Sequence, residues 1–290
     1  MGEPRYDARV FEPSGSSTVV VGMPRAKARD VYHSLLRASW WWTLAIIVAS
    51  FLLANLGFAV LYLLSDGIAN ARPGSLADAF FFSVETMGTV GYGELYPKTP
   101  FAHLLMVAEV LCSLLFIATV TGLVFAKFSR PTARILFSRW ALVTKMDGGP
   151  VLMFRVANAR GNLVVAGEFQ LVLIRTEKTK EGQTIYRMHD LPLTRPRVPT
   201  LTRTYLALHR IEEHSPLYGA TPESIVRDEV QLVVALTGID GTTSQTIYAG
   251  HDYLPEEVRF GVRFADMLSE LPDGRLRADY TRFHEVVPGP

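Results

Sequence analysis

The sequence predicts a two-span α-helical membrane unit with a re-entrant helix between the spans, followed by an all-β unit. Two apolar runs, residues 40–64 and 101–125, are each long enough to cross a bilayer. A shorter helical pattern and a glycine-rich stretch separate these runs, and beyond residue 131 apolar and polar residues alternate with period two. The 290 residues suffice for one or two folded units, and 29 basic against 28 acidic side chains argue against a nucleic-acid partner.

The segment before the first span, residues 1–39, is predicted to be a cytoplasmic N-terminus that ends in an amphipathic helix. Its last part continues into the span as "DVYHSLLRASW", residues 30–40, with an N-cap aspartate, apolar residues at helical spacing, and arginine and tryptophan next to the membrane. We expect this helix to lie flat on the inner membrane surface; a plain continuation of the first span is the alternative. The span itself, predicted over 40–64, would extend roughly 37 Å against a hydrocarbon core of about 30 Å.

The second span is predicted as an inner helix over residues 101–128, and it carries one acidic residue, Glu109. A carboxylate at the centre of a span costs about 2.5–3.5 kcal/mol even on insertion scales. Glu109 is therefore expected near the outer end of the helix, or facing protein or water. Basic residues flank the pair of spans, whereas the segment between the spans holds only two, so the positive-inside rule predicts that both termini are cytoplasmic. The flanking bases are Arg25, Lys27, Arg29, Arg37, Lys127, Arg130, Arg134 and Arg139.

Between the spans, residues 75–88 are predicted to form a short helix that enters the membrane and breaks at Gly88. The stretch "SLADAFFFSVETM" begins with a capping serine, and Asp78 three positions later would complete a capping box. The irregular segment 89–93 follows. Irregular backbone at membrane depth survives only where it is buried in protein or lines a water-filled cavity. A functional site is therefore expected at this segment.

Residues 89–93 read "TVGYG", which resembles the selectivity filters of potassium channels, where carbonyl oxygens replace the hydration shell of the ion. This resemblance implies that Thr89, Val90, Gly91 and Tyr92 each present a carbonyl group to K⁺, with the Thr89 hydroxyl adding a further oxygen. Gly91 and Gly93 permit dihedral angles that are closed to residues with a Cβ. The order of span, short helix, "TVGYG" and span disfavours a chance match in a soluble turn.

The wider resemblance is to the bacterial inward-rectifier potassium channels, the KirBac family, and it covers nearly the whole chain. It rests on "FFFSVETMGTVGYGELYP", on "TGLVFAKFSRPTARILFS" after the second span, and on "ANARGN", "HDLPL" and "SPLYG" followed by "TPES" further on. The resemblance implies a homotetrameric, potassium-selective channel in the bacterial inner membrane. Its pore domain would occupy residues 40–130, and a cytoplasmic immunoglobulin-like β-sandwich would occupy residues 131–290.

The resemblance also implies roles for single residues of the membrane unit. Phe125 corresponds to a hydrophobic gate where the inner helices cross. Ile117 matches the pore-lining position that is acidic in strongly rectifying relatives, so weak block by intracellular cations is expected. Glu85, Thr86 and Glu109 are expected to support the filter, although for Glu109 an exposed cavity position is an equal alternative. Ordinary packing is the alternative for Phe125.

The residues after the filter depart from the family pattern. Eukaryotic members pair the residue that matches Glu85 with an arginine just after the filter, whereas Glu94 and Leu95 stand there in this chain. Glu85 is therefore expected to find its hydrogen-bond donors elsewhere, such as backbone amides.

Two sets of charged residues are predicted to act outside the filter. Bases next to the inner membrane surface are expected to attract anionic lipids or phosphoinositides, each contributing about 1 kcal/mol, with positive-inside topology alone as the alternative. These bases are Arg37, Lys127, Arg130 and Arg134. Glu168 and Asp240 are candidates to line a cytoplasmic continuation of the pore, with a solvated surface as the alternative.

The β-rich half shows no sign of enzymatic chemistry. The histidines and acids of "HRIEEH", residues 209–214, match neither of the zinc-protease spacings, and no phosphate-binding or dinucleotide-binding glycine motif is present. The sequence therefore predicts neither an enzyme nor a cofactor, with K⁺ as the permeant ion. A potassium transporter subunit is an alternative, disfavoured by the single filter-like loop. A non-conducting membrane-anchored sensor is another, disfavoured by the intact filter and pore helix.

Overall fold

The computed structural model describes residues 9–11, 18–20 and 31–289, and the chain divides into two compact units. The membrane unit is Pro24–Arg130 and contains both candidate membrane spans. The cytoplasmic unit comprises Met1–Met23 and Pro131–Pro290. Asp30, the predicted N-cap of the amphipathic helix, lies outside the described residues.

Four helices form the described part of the membrane unit. In chain order they are α1 (Val31–Arg37), α2 (Trp40–Ser65), α3 (Leu76–Met87) and α4 (Pro100–Phe128). For the last three, the sequence predicts the ranges 40–64, 75–88 and 101–128. Helices α2 and α4 are long and apolar enough to cross a membrane, whereas the 12 residues of α3 are too few.

Capping residues define where α3 and α4 begin. The Ser75 hydroxyl accepts a hydrogen bond from the Asp78 amide at 3.2 Å, and Thr99 caps α4 directly before a proline in the first turn. The capping box predicted for α3 is only half formed. Its second half is missing because the Asp78 carboxylate accepts hydrogen bonds from the backbone amide and the guanidinium of Arg72 instead, at 2.7 to 3.0 Å.

Two short strands hold together the loops before α3 and after the segment 89–93. Strand β3 (Ile68–Ala69) pairs with β4 (Tyr96–Pro97) in antiparallel register, and the Lys98 amide donates to the Gly67 carbonyl at 2.7 Å. The loop that leads into α3 and the loop that follows residues 89–93 are therefore held side by side. In the cytoplasmic unit, β1 (Arg9–Phe11) pairs with β2 (Thr18–Val20).

The cytoplasmic unit is built from two five-stranded sheets. One has the order β10-β8-β12-β13 with β9 also on β8, and the other has the order β11-β7-β6-β14 with β5 also on β7. All pairs are antiparallel except β14 with β6. The strands are β5 (Ile135–Phe137), β6 (Ala141–Met146), β7 (Gly149–Asn158), β8 (Val164–Lys178), β9 (Thr184–Asp190), β10 (Arg197–Leu201), β11 (Thr204–Arg210), β12 (Gln231–Asp240), β13 (Thr246–Tyr253) and β14 (Val258–Phe260).

The facing sides of the two sheets form one apolar core. Leu152, Phe154 and Val156 of β7 belong to the same buried cluster as Phe169 and Leu171 of β8. Along β12 buried and more exposed side chains alternate, as the period-two pattern predicts. Helix α5 (Pro222–Arg227) adds Ile225 to this core. The predicted fold class of two spans, a re-entrant helix and a β-sandwich is confirmed.

Strand β7 differs from the alternating pattern, because it is buried on both faces from Val151 to Asn158. Its outer face is covered by the C-terminal segment, whose Phe264 and Phe283 are buried against it. The short strands of this segment are β15 (Val262–Phe264), β16 (Leu268–Glu270), β17 (Leu276–Ala278) and β18 (Val286–Pro288).

Candidate ion-conduction site

The segment 89–93 leaves the C-terminus of α3 and is held at both ends. Its first two amides donate to the carbonyls of Thr86 and Glu85, at 3.1 and 2.8 Å. Beyond its far end, the Asn70 side chain donates to the Glu94 carbonyl at 2.8 Å. The ends of the segment are therefore positioned by the chain's own backbone and by one side chain of the outer loop.

The sign of φ alternates along the segment. Thr89, Gly91 and Gly93 have φ values of 57°, 62° and 81°, whereas the residues between them are not in the positive region. A Cβ built on either glycine meets no atom of this chain within 4 Å, so the dihedral angle and not space demands glycine there. Sequence reasoning named Thr89 as a filter residue but did not predict its positive φ. A β-branched residue in this region costs on the order of 1–3 kcal/mol, and no sequence signal marks it.

The middle of the segment lacks backbone partners. Among the described residues, no hydrogen bond is donated by the amides of Gly91, Tyr92 or Gly93. The side chains of Val90 and Tyr92 are also open, with exposed fractions of 49% and 79%. Because backbone polar groups within a bilayer must be satisfied, these amides require partners other than the described residues of this chain.

A buried polar cluster joins α2, α3 and α4. It consists of Asn55, Tyr62, Ser83 and Glu109, each 0% exposed, and we call it the Glu109 cluster. The Tyr62 hydroxyl donates to Glu109 Oε2 at 2.8 Å, and Ser83 Oγ lies within hydrogen-bond distance of Glu109 Oε1. Ser83 Oγ is also 3.0 Å from Asn55 Oδ1. Of the positions left open by the sequence, the structure places Glu109 against protein.

Two further contacts reach the last residue of α3. The Asn55 side-chain amide lies 3.2 Å from Met87 Sδ, and the Ser113 hydroxyl donates to the Met87 carbonyl at 2.5 Å. Thr86 contributes less than its position suggests, because its hydroxyl donates to a carbonyl of its own helix at 2.8 Å. Glu85 is half-buried, and its carboxylate has no partner among the described residues of this chain.

The predicted gate and pore-lining residues share one face of α4. Ile117 and Phe125 are eight positions apart, or about two turns, and Thr121 lies between them on the same face. The side chains of Ile117 and Phe125 are 49% and 71% exposed. This face of the helix is therefore mainly apolar, with one hydroxyl at Thr121, and the described part of the chain leaves it uncovered.

The basic residues at the end of α4 contact the α1–α2 connection. The buried Lys127 ammonium donates to the Leu35 and Ala38 carbonyls at 3.1 and 2.6 Å and to the Thr43 hydroxyl at 2.8 Å. Arg130 donates to the Leu36 carbonyl at 2.6 Å. All three ammonium donors of Lys127 are thus used inside the membrane unit. This clamp was not predicted, since sequence reasoning assigned Lys127 to lipid.

The other two predicted lipid-binding bases, Arg37 and Arg134, are exposed, each in its own unit. Their guanidinium groups have no hydrogen bond or ion pair within the described part of the chain. They are accordingly available to groups outside the chain.

The two acids proposed for a cytoplasmic pore have different surroundings. Asp240 is buried, and its carboxylate accepts hydrogen bonds from the Thr242 and Thr243 amides at 2.8 and 3.1 Å and from the Asn162 side chain at 2.8 Å. The Thr242 amide, together with the other donors, lowers the pKa of Asp240 below its ordinary value. Glu168 is half-exposed and pairs with Arg197 at 3.2 Å. The structure thus gives Asp240 the role of ordering a turn.

The chain matches two family models that together cover most of its length. Residues 135–289 match the inward rectifier potassium channel C-terminal domain, and residues 42–130 match an ion channel model. The chain is 40% identical to the inward rectifier potassium channel Kirbac3.1 of Paramagnetospirillum magnetotacticum, over 99% of this chain and 98% of that protein.

Relatives from animals align over nearly the same range. The ATP-sensitive inward rectifier potassium channel 15 of Homo sapiens is 30% identical over 97% of this chain and 83% of its own length. The G protein-activated inward rectifier potassium channel 3 of Homo sapiens is 31% identical over 97% of this chain and 79% of its own length. The identity to these relatives and the two family models agree with the fold of two candidate membrane spans, a short helix between them and a β-sandwich, and this chain belongs to the bacterial inward-rectifier potassium channel family.

Proposed function

We propose that four copies of this chain form a channel that conducts K⁺ selectively through residues 89–93. The observation that carries the proposal is the alternating sign of φ along residues 89–93, positive at Thr89, Gly91 and Gly93, in a segment whose central amides have no partner among the described residues. A regular strand points successive carbonyl groups to opposite sides, whereas alternating φ turns them to the same side. Four such segments around an axis would surround a dehydrated cation with rings of oxygen atoms.

The proposed ion sites are formed by the carbonyl oxygens of Thr89, Val90, Gly91 and Tyr92, with the Thr89 hydroxyl at the inner end. The side chains of Val90 and Tyr92 are uncovered in the single chain and would pack against neighbouring copies. The C-terminal end of α3 supports cation binding as well, because the negative end of its helix dipole lies at the start of the filter.

The inner helix α4 supplies the proposed gate. In a tetramer the exposed face that carries Ile117 and Phe125 would line the conduction path. A ring of four phenylalanine side chains at the level of Phe125 would exclude water from a narrow opening, and a hydrophobic constriction of this kind closes a pore to ions. The apolar Ile117 offers no charge to intracellular blocking cations.

We also propose that both termini are cytoplasmic, which the positive-inside rule supports, and that anionic lipids modulate the channel through bases at the inner membrane surface. Arg37 and Arg134 carry this proposal, because both are exposed and neither has a partner within the described part of the chain. Arg130 donates a hydrogen bond from one guanidinium nitrogen to a carbonyl, and the N–H groups on its other nitrogens remain available to lipid. Lys127 is left out, since its ammonium group is saturated by the chain. Flux in liposomes with and without anionic lipid tests this, and equal flux would contradict it.

The main test is ion flux through the purified protein in liposomes. We expect a K⁺ gradient to drive uptake that Ba²⁺ blocks, and a Na⁺ gradient to drive far less. Equal permeation of both ions would contradict selectivity, and no permeation by an assembled tetramer would favour a non-conducting sensor. A transporter subunit would give uptake that saturates at low K⁺ and falls far below channel rates.

A further inference from the structure

Glu109 is an ionisable side chain that is fully buried among neutral groups. Its carboxyl oxygens contact the hydroxyls of Tyr62 and Ser83, and among the described residues it forms no ion pair. We propose that Glu109 carries a proton and, as a neutral donor and acceptor, holds the pore helix α3 against α2 and α4 behind the filter. Glu109 is thus a positioning residue that does not contact the permeant ion.

The contacts of Asn55 fix which of its side-chain atoms is the donor and which is the acceptor. The Asn55 side-chain nitrogen lies 2.8 Å from the Phe51 carbonyl oxygen, and only the amide NH₂ can face a carbonyl at this distance. Its second hydrogen points to Met87 Sδ at 3.2 Å. The orientation of the amide is therefore settled, and Asn55 Oδ1 is the acceptor that faces Ser83 at 3.0 Å.

The contacts of Ser83 with two acceptor oxygens can both be hydrogen bonds only if Glu109 carries a proton. Ser83 has one hydroxyl hydrogen but contacts two oxygens, Asn55 Oδ1 and Glu109 Oε1. Tyr62 supplies its own hydrogen to Oε2. If Ser83 donates to Asn55, the contact with Oε1 is a hydrogen bond only when Glu109 donates to Ser83 Oγ. An ionised Glu109 would leave one of these contacts as two facing acceptors.

The surroundings of Glu109 also disfavour an ionised carboxylate. The side chain is 0% exposed in the middle of the membrane unit. The effective penalty for burying an ion is several kcal/mol unless a counter-ion and further hydrogen bonds offset it. Within the described part of the chain, no Lys, Arg or His lies within ion-pair distance of Glu109. Two hydroxyl contacts match a neutral carboxyl group better than a bare carboxylate.

The cluster lies directly behind the entry to the filter. Asn55 connects it to the side chain of Met87, and Ser113, four positions after Glu109 on the same helix, donates to the Met87 carbonyl. Thr89, whose unfavourable backbone angle begins the filter, follows two residues later. Loss of the carboxyl group would therefore loosen the support of α3 at the point where the backbone must hold a strained conformation.

The first test compares Glu109→Ala with Glu109→Gln in liposome flux, and this readout rests on the proposed function. A glutamine side chain can accept from Tyr62 and donate to Ser83, as the protonated acid does. We expect assembled E109A to lose K⁺ over Na⁺ selectivity by a factor of roughly 5 to 10, the equivalent of one buried hydrogen bond, and E109Q to restore it. If assembled E109Q is as impaired as E109A, a neutral group is insufficient and the proposal fails.

The second test does not depend on conduction. Infrared spectra of the full-length protein at neutral pH should show the carbonyl stretching band of a protonated carboxylic acid, which E109Q removes. The matched control Glu213→Gln, at an exposed position of the cytoplasmic unit, should leave this band unchanged. A spectrum in which E109Q removes no such band would show that Glu109 is ionised and would overturn the proposal, whether or not the channel conducts.

Discussion

The cytoplasmic unit and the membrane unit bury their apolar side chains to different extents. The β-sandwich closes a core of two dozen buried residues between its own sheets, and even the outer face of β7 is covered by the C-terminal segment. In the membrane unit, only 11% of the most apolar window of either span is buried, and residues such as Phe125 and Tyr92 are largely exposed. The cytoplasmic unit thus buries its apolar side chains within a single chain, whereas the membrane unit leaves most of those on its spans exposed.

This difference has a physical reason. In water, a sheet with one apolar face must cover that face to gain hydrophobic free energy, so the sandwich folds onto itself. In a bilayer, lipid covers apolar side chains at no cost. The polar groups are the ones that must find partners within protein. The membrane unit therefore buries its polar side chains, as in the Glu109 cluster. The central amides of residues 89–93 have no partner among the described residues, and the proposed tetramer would supply the groups and ions around this segment.

The largest expected effect comes from changing the filter backbone. Gly91→Ala should abolish selective K⁺ flux, because the φ of 62° at this position is unfavourable for a residue with a Cβ. Liposome flux of assembled protein measures it. The matched control is Gly57→Ala in α2, where φ is not positive and a Cβ meets nothing within 4 Å, and its flux should equal that of the unchanged protein. Normal selectivity in G91A would contradict the assigned filter.

The next largest effect is expected on the stability of the cytoplasmic unit, whose core is closed within the single chain. Phe154→Ala should lower the free energy of unfolding by about 3–5 kcal/mol, because Phe154 is 1% exposed and its removal leaves a cavity between the sheets. Chemical denaturation of the detergent-solubilised protein, followed by circular dichroism, measures the change. Tyr186→Ala, at a side chain 77% exposed, should change stability by less than about 0.5 kcal/mol. Similar losses in both variants would mean that the sandwich does not carry the core described.

A smaller effect is expected at the membrane-unit clamp. Lys127→Met should weaken the attachment of α1 by about 1.5–3 kcal/mol, the range for hydrogen bonds to a charged group. Seven residues do not form a stable helix alone, so hydrogen exchange of the amides at 31–39 should accelerate. The control Lys98→Met removes only an exposed pair with Asp66 and should leave this region unchanged. Unaltered exchange in K127M would contradict the clamp.

The smallest expected effect is a pH dependence of the cytoplasmic unit. Burial lowers the pKa of His209 below its ordinary value, although its hydrogen bond to the Pro192 carbonyl opposes the shift. Below about pH 6.5 the unfolded chain therefore binds more protons at this position than the folded chain does. The contribution of His209 to the free energy of unfolding is thus largest above that pH and declines below it. His209→Gln should flatten the decline in denaturation midpoint between about pH 6.5 and pH 5. The exposed His214→Gln should not, and equal slopes in the two variants would contradict the assignment.

Several features of the site follow from residues alone. The two spans, the helix starting at Ser75 and the position of "TVGYG" could be predicted, because span length, capping chemistry and a known motif are local properties. The role of Lys127 could not, since a base near the membrane surface has the same sequence signature whether it contacts lipid or three oxygens of its own chain. The turn-ordering role of Asp240 was also missed, because the sequence does not distinguish an acid that faces a pore from one that accepts hydrogen bonds from the next two or three amides.

By itself, the sequence determined the fold class and the order of the elements. These depend on hydrophobic periodicity and on run length, which act over a few neighbouring residues. The residues proposed to form a cation filter came from the resemblance of "TVGYG" to potassium-channel filters. Only the tertiary structure decided the environment of Glu109, the coverage of both faces of β7 and the positive φ of Thr89. Each of these depends on groups distant in sequence or on the whole surrounding backbone, which no local pattern records.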